Sequence, residues 1–582
     1  MEYTWQNKEI KNPQAISELT DQLNVSSVIA QLLVERDITT FNDASIFFRP
    51  NLEQIHDPFL MEDMGKAVDR LTEAISSGEK IMIYGDYDVD GSTSVALMVL
   101  FLRKLSADHI FYQPDRYGEG YGISVEGIEK AKSENVSLII ALDCGTRAID
   151  KIDLANSYNI DIIICDHHTP GEVLPKAFAM LNPKKTTCNY PFKELCGCGI
   201  GFKLIQAFAL NQGWAIEDIL EYLDLVTIAI GADIVPLNGE NRTLAYFGLQ
   251  QINEQPRLGV KKLLETNNKV KNITISDLVF TIAPRVNAAG RISHANAAVE
   301  MLLVEEEQEA LDWCTKINNF NLERRELDKD ITEDALLKVK SDKWYHKSKS
   351  TVVWDSSWHK GVVGIVASRL IENHYKPTIV LTIHEGEATG SARSVKGFDV
   401  LEAITACDDL LTKYGGHKYA AGLSLKEENL LVFRERFETY VQEHISEDML
   451  IPKIKIDAEI TGKDLELDII GNPLPKLFRI CEQFSPFGPH NMRPVFRMNN
   501  LTDTNYSKIV GETHVKFALR CPITNKIFTG IGFGLGHKID DLKSGKPVDI
   551  VFNLEVNEYM GNIEIQFNIK DFKLSESTGK QH

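Results

Sequence analysis

The chain has 582 residues, 43% hydrophobic and 25% charged, the ordinary mixture of a soluble globular protein. That length is too great for one core, and ~150 residues per domain predicts three or four domains. Its 63 Lys and Arg against 83 Asp and Glu leave a net charge of −20, which as a global sum counts against a nucleic-acid partner but leaves local cationic contacts open. No apolar run approaches the ~20 residues of a membrane span, and the start MEYTWQNKEI has no basic stretch leading into an apolar core, so a cytoplasmic protein with no membrane contact is expected. The 9 cysteines are odd in number and scattered, which fits a reducing compartment. Cys196 and Cys198 in CGCG lack a second close-spaced pair and read as small buried residues in a turn, not as zinc ligands.

Residues 1–57 read as a helical lead-in without visible chemistry: Pro13 to Leu33 is helix-compatible and Thr39 to Ala44 resembles a helix start. From 58 to 250 strands alternate with helices, the helix Met64 to Ser76 coming first. Ile81 to Tyr84 is a short buried strand broken at Gly85, after which Asp86, Asp88 and Asp90 alternate ahead of Gly91 and a helix cap at Ser92-Thr93-Ser94. Residues two apart in extended chain point the same way, so these carboxylates can converge just past the strand's carboxyl end. Packed like charges need a cation among them, and hard divalent ions favour carboxylate oxygen. An Asp-rich surface turn is the plain alternative. Two further buried runs end in the same way, Ser137 to Leu142 at Asp143-Cys144-Gly145 and Ile160 to Cys165 at Asp166-His167-His168. Strands joined by helical crossovers form a parallel sheet whose ends open onto one crevice, so these acids and imidazoles are expected to meet. Asp233, after the apolar run Leu225 to Ile230, is grouped with these strand-terminal ligands. Between strands, residues 115–122 form a glycine-rich loop with Arg116 and two tyrosines, either a flexible turn or a phosphate and base contact.

Residues 251–345 read as a charged, mostly helical connector. Within it Arg285 and Arg291 flank small residues that permit close approach, and guanidinium forks suit phosphate, although solvated surface arginines are the commoner case. A second α/β unit spans 346–450, with strands at Thr351 to Trp354 and Thr378 to Leu381 around the helix Val363 to His374. Gly390-Ser391-Ala392-Arg393-Ser394 and Gly415-Gly416-His417 read as glycine-rich turns, the first offering Ser391 and Arg393 to a phosphate and the second offering His417. From 451 to 573 apolar and polar residues alternate, as in Ile563, Ile565, Phe567 and Ile569, which predicts antiparallel strands and a small barrel. An OB-fold is the barrel that binds single strands through aromatic and basic residues, here Lys508, Lys516, Phe517 and Arg520. The segment from 574 to 582 is expected to be disordered.

Asp88 and Asp90 in GDYDVDG, Asp143 in LDCG, Asp166-His167-His168, and Asp233 in GADIVP resemble the DHH phosphoesterase superfamily. RYGEGYG at 116–122, APRVNAAGRI at 283–292, GSARS at 390–394 and GGHKYAAG at 415–422 extend the likeness over nearly the whole chain, toward the bacterial members that degrade single-stranded DNA from 5′ to 3′. The resemblance implies a multidomain α/β protein: a parallel-sheet DHH domain, a helical connector, a smaller α/β DHH-associated domain and a C-terminal OB-fold. It implies hydrolysis of single-stranded DNA to mononucleotides with two Mn²⁺ or Mg²⁺ ions, in DNA repair and recombination, alongside a helicase and a single-strand-binding protein. Carried over residue by residue, Asp88, Asp90, Asp143, His167 and Asp233 are the metal ligands, with Asp143 bridging and Asp86 of second rank. His168 contacts the scissile phosphate, Asp166 orients an adjacent imidazole, and Arg116, Arg285 or Arg291, Ser391, Arg393 and His417 contact substrate. One position departs, for Tyr84 stands where many such enzymes carry a histidine. Two other readings compare with this one. A DHH enzyme for short oligonucleotides or cyclic dinucleotides would not need the connector and the β-rich extension, and a non-catalytic DNA-binding scaffold would not need repelling carboxylates.

Overall fold

The computed structural model describes residues 2–559 and 561–576. The chain divides into two compact units. One comprises Ile55–Val235 and Gly239–Pro452; the other joins Tyr3–Gln54 and Pro236–Asn238 to the C-terminal body from Lys453.

The first unit is built on a five-stranded parallel sheet of β1 (Ile81–Gly85), β2 (His109–Tyr112), β3 (Leu138–Leu142), β4 (Asp161–Cys165) and β5 (Ala179–Leu181), in the order β2-β1-β3-β4-β5. Every residue of β1 and β3 is buried, as expected of apolar strands covered on both faces. Register decides what happens next. Gly85 lies opposite Leu142, and Leu142 opposite Cys165, so the residues that follow, Asp86, Asp143 and Asp166, leave the sheet level with one another. The helix α1 (Val89–Lys104) then begins at once, with the Asp88 side chain accepting a hydrogen bond from the Gly91 amide at 3.0 Å. Asp88, not the Ser92-Thr93-Ser94 run, is the cap, and those three residues lie buried inside the helix. A side chain at Gly91 would collide with the Asp86 carbonyl, so only glycine lets the chain turn this tightly.

The apolar run before Asp233 is a helix, α2 (Leu223–Ala232), buried on nearly all sides. Continuous apolar runs carry no period to distinguish helix from strand, and Asp233 therefore sits at a helix C-cap. The connector contains α3 (Ala283–Ile292), entered through a π-helical turn at Leu278–Ile282, and the 35-residue α4 (Glu307–Ser341). A second sheet follows, ordered β9-β10-β8-β7-β6 and formed by β6 (Thr351–Asp355), β7 (Thr378–His384), β8 (Glu387–Arg393), β9 (Leu411–His417) and β10 (Ala420–Lys426), with α5 (Val363–Asn373) between β6 and β7. Ser391 and Arg393 thus belong to a strand, and His417 ends one; neither segment is the turn expected from its glycines. The glycines serve close strand contact instead, since a side chain at Gly390 would strike the Val380 carbonyl on β7.

In the second unit the strand Thr4–Asn7 pairs in parallel with Lys453–Ile456. Leu19, Ile29 and Leu33 of the N-terminal helices enter the same core as Phe484, Phe496, Phe517 and Phe552, so residues 3–54 are part of this body's packing rather than a separate lead-in. The strands Phe496–Asp503, His514–Arg520, Ile527–Gly532, Val548–Tyr559 and Asn562–Leu574 curl on themselves, Phe496–Asp503 pairing with both Val548–Tyr559 and His514–Arg520. Alternation turns Val515, Phe517 and Leu519 inward and Lys516 and Arg520 outward. Phe517, at 1% exposure, is a core residue and not the base contact expected from sequence. Leu574 closes the last strand; of the tail expected to be disordered, 577–582 lie outside the described residues.

Replacing Phe517 with Ala is expected to cost ~3–5 kcal/mol, a cavity in a packed core, read as a drop in the unfolding midpoint of this unit. A cost below ~1 kcal/mol would show Phe517 to be peripheral. The same unit holds a pH-sensitive contact. Burial lifts the Glu35 carboxyl to about 7, Asp457 adding to the rise while Gln31 and Lys8 oppose it. A carboxyl raised above its unfolded value supplies stability that is complete below about pH 4.5 and is lost as pH rises through about 7. Glu35→Gln should flatten that decline, retaining ~1 kcal/mol more than the wild type on going from pH 5 to 8 in denaturant titrations. An identical pH dependence in both proteins would contradict this.

Candidate active site

Just past the ends of β1, β3 and β4, the His167 Nε2 lies 3.2 Å from Asp143 Oδ1, 3.5 Å from Asp233 Oδ2 and 3.9 Å from Asp90 Oδ2. Two overlapping sets offer ligand atoms within 4.8 Å of one another: Asp143, His167 and His168, and Asp90, His167 and Asp233. Asp90 is held by the backbone N–H groups of Gly197 and Cys198, which donate to its two oxygens at 2.7 Å each. These donors open the helix Gly197–Asn211, whose positive end partly offsets the carboxylate charge. A Cβ on Gly197 would stand 2.6 Å from the Asp143 Cβ. The CGCG stretch is thus not the turn expected from sequence but the buried cap and first residues of this helix, whose amides hold Asp90 and whose Gly197 makes room for Asp143. Asp143 itself has a left-handed backbone, φ 59°, and its carbonyl accepts a hydrogen bond from the Tyr121 hydroxyl at 3.2 Å.

The cluster is electrostatically incomplete. Asp143 Oδ1, Asp86 Oδ2 and both ring nitrogens of His167 are buried without a hydrogen-bond partner among the described residues. Burial, with repulsion from Asp88 added, lifts Asp90 to about 7; burial, with Asp90 and Asp88 added, lifts Asp233 to about 9. Asp143 is raised well above the usual carboxylate range by burial and by Asp90, Asp88 and Asp233. Burial and the neighbouring His168 push His167 down to about 3, leaving a neutral imidazole with a free lone pair. Carboxylate oxygens and one imidazole nitrogen suit Mn²⁺ or Mg²⁺, and a divalent cation there would satisfy the unpartnered atoms and cancel the repulsion. Asp88 lies within electrostatic reach of Asp90, Asp143 and Asp233 but also caps α1. Asp86 stands apart from both sets, one oxygen accepting the Gly122 N–H at 3.2 Å; burial and Asp88 raise it.

Asp166 faces the other way. Its Oδ1 accepts from His168 Nδ1 at 2.7 Å and from the His167 amide at 2.8 Å, and its Oδ2 from the Thr146 amide at 2.9 Å. Burial alone would raise this carboxyl, but these bonds and the His168 charge hold it well below the usual range. The far nitrogen of His168 meets the Tyr121 hydroxyl at 3.0 Å. Tyr84 is fully buried and does different work from a ligand. Its hydroxyl donates to the Gly122 carbonyl at 3.1 Å and accepts from the Ser124 amide at 3.0 Å, fastening the glycine-rich loop to β1. Glu119 secures the same loop, taking bonds from Tyr112, Ser124 and the Asp115 amide.

Beside the cluster is a cavity of about 540 Å³ whose lining includes Arg116, Arg291, Lys360, Ser391, Arg393 and Lys413. A second, of about 570 Å³, is lined by Tyr121, Asp166, His168, Lys413 and His417 among others. Arg116 stacks over Tyr87 at 4.6 Å. Burial and the neighbouring Arg116 lower Arg291 to about 10, a cation crowded by cations and ready for an anion. Of the two connector arginines, Arg291 lines the first cavity and Arg285 lines neither, its guanidinium being tied to Asn318, Asn267 and the Thr281 carbonyl. Sequence reasoning missed Gly197, Tyr121, Lys360 and Lys413. Only Tyr121 carried a signal, being in the glycine-rich loop.

Residues 80–230 match the DHH family N-terminal domain, 347–443 the DHHA1 domain and 456–571 the RecJ OB domain. The chain is 37% identical to the single-stranded-DNA-specific exonuclease RecJ of Bacillus subtilis, the match covering 98% of this chain and 71% of the relative. It is 32% identical to RecJ of Escherichia coli over 87% of this chain and 89% of the relative. The crystal structure of Thermus thermophilus RecJ in complex with Mn²⁺ superposes with a TM-score of 0.81 at 26% identity, covering 99% of this chain and 80% of that one. With the strand-end acid and imidazole cluster, the second α/β sheet and the C-terminal barrel all in place, the chain belongs to the RecJ family of the DHH phosphoesterases.

Proposed function

We propose that this family member is a metal-dependent exonuclease specific for single-stranded DNA, working from the 5′ end and releasing mononucleotides. The observation that carries the reading is the juxtaposition of a buried, unpartnered carboxylate–imidazole cluster with a cavity rich in arginine. Asp88, Asp90, Asp143, His167 and Asp233 would hold two ions, and Asp143, which is repelled by all three of the other carboxylates, is the group to be shared. When bound, Mn²⁺ or Mg²⁺ supplies Lewis acidity to the scissile phosphate and to the attacking water. His168, clamped between Asp166 and Tyr121, is favoured in its cationic form by Asp166 against the effect of burial, and offers positive charge to the phosphate. Arg116, Arg291, Ser391 and Arg393 take the 5′-terminal phosphate, which limits cleavage to the end of the strand. His417 and Lys413 contact the terminal nucleotide from the second cavity.

Longer strands need additional grip, and the barrel supplies it through local contacts despite the negative net charge. Tyr506 is 81% exposed and Phe533 62%, beside outward-facing Lys508, Lys516 and Arg520, a pairing of stacking surface and cations that suits single strands. An enzyme confined to unpaired DNA depends on unwinding, which puts a helicase and a single-strand-binding protein among its cytoplasmic partners in repair and recombination. Among the described residues no helix is long and apolar enough to cross a membrane.

Asp143→Ala is expected to lower hydrolysis of a 5′-labelled single strand by more than ~100-fold at saturating Mn²⁺ while leaving strand binding intact, because a shared ligand serves both ions. Retention of more than about a tenth of the rate would refute the shared role. Arg393→Ala should selectively slow 5′-phosphorylated over 5′-hydroxyl strands, losing a charge-assisted contact of ~1.5–3 kcal/mol. Equal slowing of both substrates would show that Arg393 does not read the end.

A further inference from the structure

Asp90 and Asp143 belong to the DHH domain, whereas Ser391 and Arg393 belong to the DHHA1 domain. Among the described residues no hydrogen bond or ion pair runs directly from 80–235 to 347–443, and the polar connection between the two domains is relayed through the connector. The Tyr117 hydroxyl, on the glycine-rich loop, donates to the Arg291 carbonyl at 2.6 Å. Arg291 Nη1 in turn donates to the Gly361 carbonyl at 2.7 Å. The Tyr117 ring meets the His359 ring edge-on with centroids 6.2 Å apart, and His359 Nδ1 accepts the Gly361 N–H at 3.1 Å. A side chain at Gly361 would collide with the Tyr117 hydroxyl, so the three segments meet at one point.

Both ends of this relay are fixed. The loop is fastened to the end of β1 by Tyr84 and Asp86, and within it the Tyr117 and Gly118 amides donate to Asp115 Oδ1 at 2.9 and 2.7 Å, so Tyr117 shares the frame of the metal-site acids. Gly361 leads directly into α5, and a Cβ on Gly364 would stand 3.0 Å from Ser391 Oγ and 3.1 Å from Arg393 Nη2. The start of α5 therefore abuts the phosphate-binding pair. The end of α4 also holds this domain, with Lys338 2.7 Å from Asp355 and Trp358 Nε1 donating to Asp334 at 2.9 Å. A domain carried on one helix can tilt about it, and the relay supplies the second fixed point.

We infer that the Tyr117–Arg291–Gly361 relay sets the distance from the 5′-phosphate pocket to the metal centre, and that Tyr117 is the positioning residue that keeps the product one nucleotide long. The inference rests on the exonuclease reading. With the terminal phosphate held on Ser391 and Arg393, the bond that reaches the metals is chosen by the spacing of the two domains, and a domain free to tilt would present the second or third phosphodiester as well as the first. Tyr117 also lines the cavity, but a hydroxyl that served only as a substrate contact would change the rate and not the position of the cut.

The test uses the full chain and two variants, Tyr117→Phe, which keeps the ring and removes the hydroxyl, and Gly361→Ala, which reaches the same contact from the other domain. A 5′-labelled, 5′-phosphorylated single strand is cut once with enzyme in excess and Mn²⁺ present, and the labelled products are resolved by length. The wild type should release labelled mononucleotide, and in each variant the share of labelled di- and trinucleotide should rise by ~5-fold or more, the effect of one lost hydrogen bond on the balance of closed and tilted forms. Both substitutions break one contact, so the double variant should exceed neither single variant. Slower cleavage that still yields only mononucleotide would overturn the inference and leave Tyr117 as a substrate contact or a support. A second readout needs neither metal nor DNA: spin labels on Asp153→Cys and Glu435→Cys, exposed positions on the helices Ile149–Ser157 and Leu430–His444, in a chain whose native cysteines are all buried. One narrow interlabel distance is expected with Tyr117 and Gly361 intact and a broader distribution in each variant, whereas the same narrow distance in all would overturn the inference whatever the products. A wild type that releases no labelled mononucleotide would fault the exonuclease reading and the product-length assignment with it, while the distances would still report on the relay.

Discussion

Carboxylates brought together in a low-dielectric interior repel one another more strongly than anything in the surrounding fold attracts them, unless a cation is shared among them. Asp90, Asp143 and Asp233 meet around His167 under that constraint, and the parts of the DHH domain nearest them are arranged to make it tolerable. The parallel register brings Asp143 level with Asp86 and Asp166 at one end of the sheet, Asp90 follows on α1, and Asp233 arrives from the end of α2. The start of the helix at Gly197 donates two amides to Asp90, and burial together with the neighbouring His168, which Asp166 holds by a hydrogen bond, keeps His167 neutral. What the protein leaves unsatisfied, the Asp143 oxygen and the imidazole nitrogens, is a set of donors that a hard divalent ion takes up.

Close approach is the second requirement, and it explains where glycine occurs. Gly91 lets α1 start immediately after Asp86, and Gly197 leaves space for Asp143. The loop that carries Arg116 and Tyr121 would otherwise be flexible. Tyr84 and Asp86 pin it to the end of β1 through buried hydrogen bonds and Glu119 ties it to Tyr112 of β2, so the arginine and the metal-site acids are held on one rigid frame. The tyrosine at this position therefore serves loop placement.

The strand-end acids were legible in the sequence because short apolar runs ending in Asp leave little choice of topology, and a parallel sheet aligns their ends. Asp233 joined the cluster as expected but from a helix, since Leu225 to Ile230 has no period to read. Glycine misled at Ser391, Arg393 and His417, where it marks strands in close contact rather than turns. Arg285 and Phe517 show the limit of residue type as a guide. One is held by neutral partners on the connector, and the other is turned into the core by strand alternation. The amides of Gly197 and Cys198 were invisible to sequence reasoning, because a backbone donor has no side-chain signature and its role exists only once the helix is placed against Asp90.

The central claim is that the acid and imidazole cluster is a divalent-cation site, and anomalous scattering from crystals soaked in Mn²⁺ tests it without reference to activity. The account predicts anomalous density among Asp90, Asp143, His167 and Asp233. Well-ordered crystals showing no anomalous density there, or showing it only at other carboxylates, would contradict it.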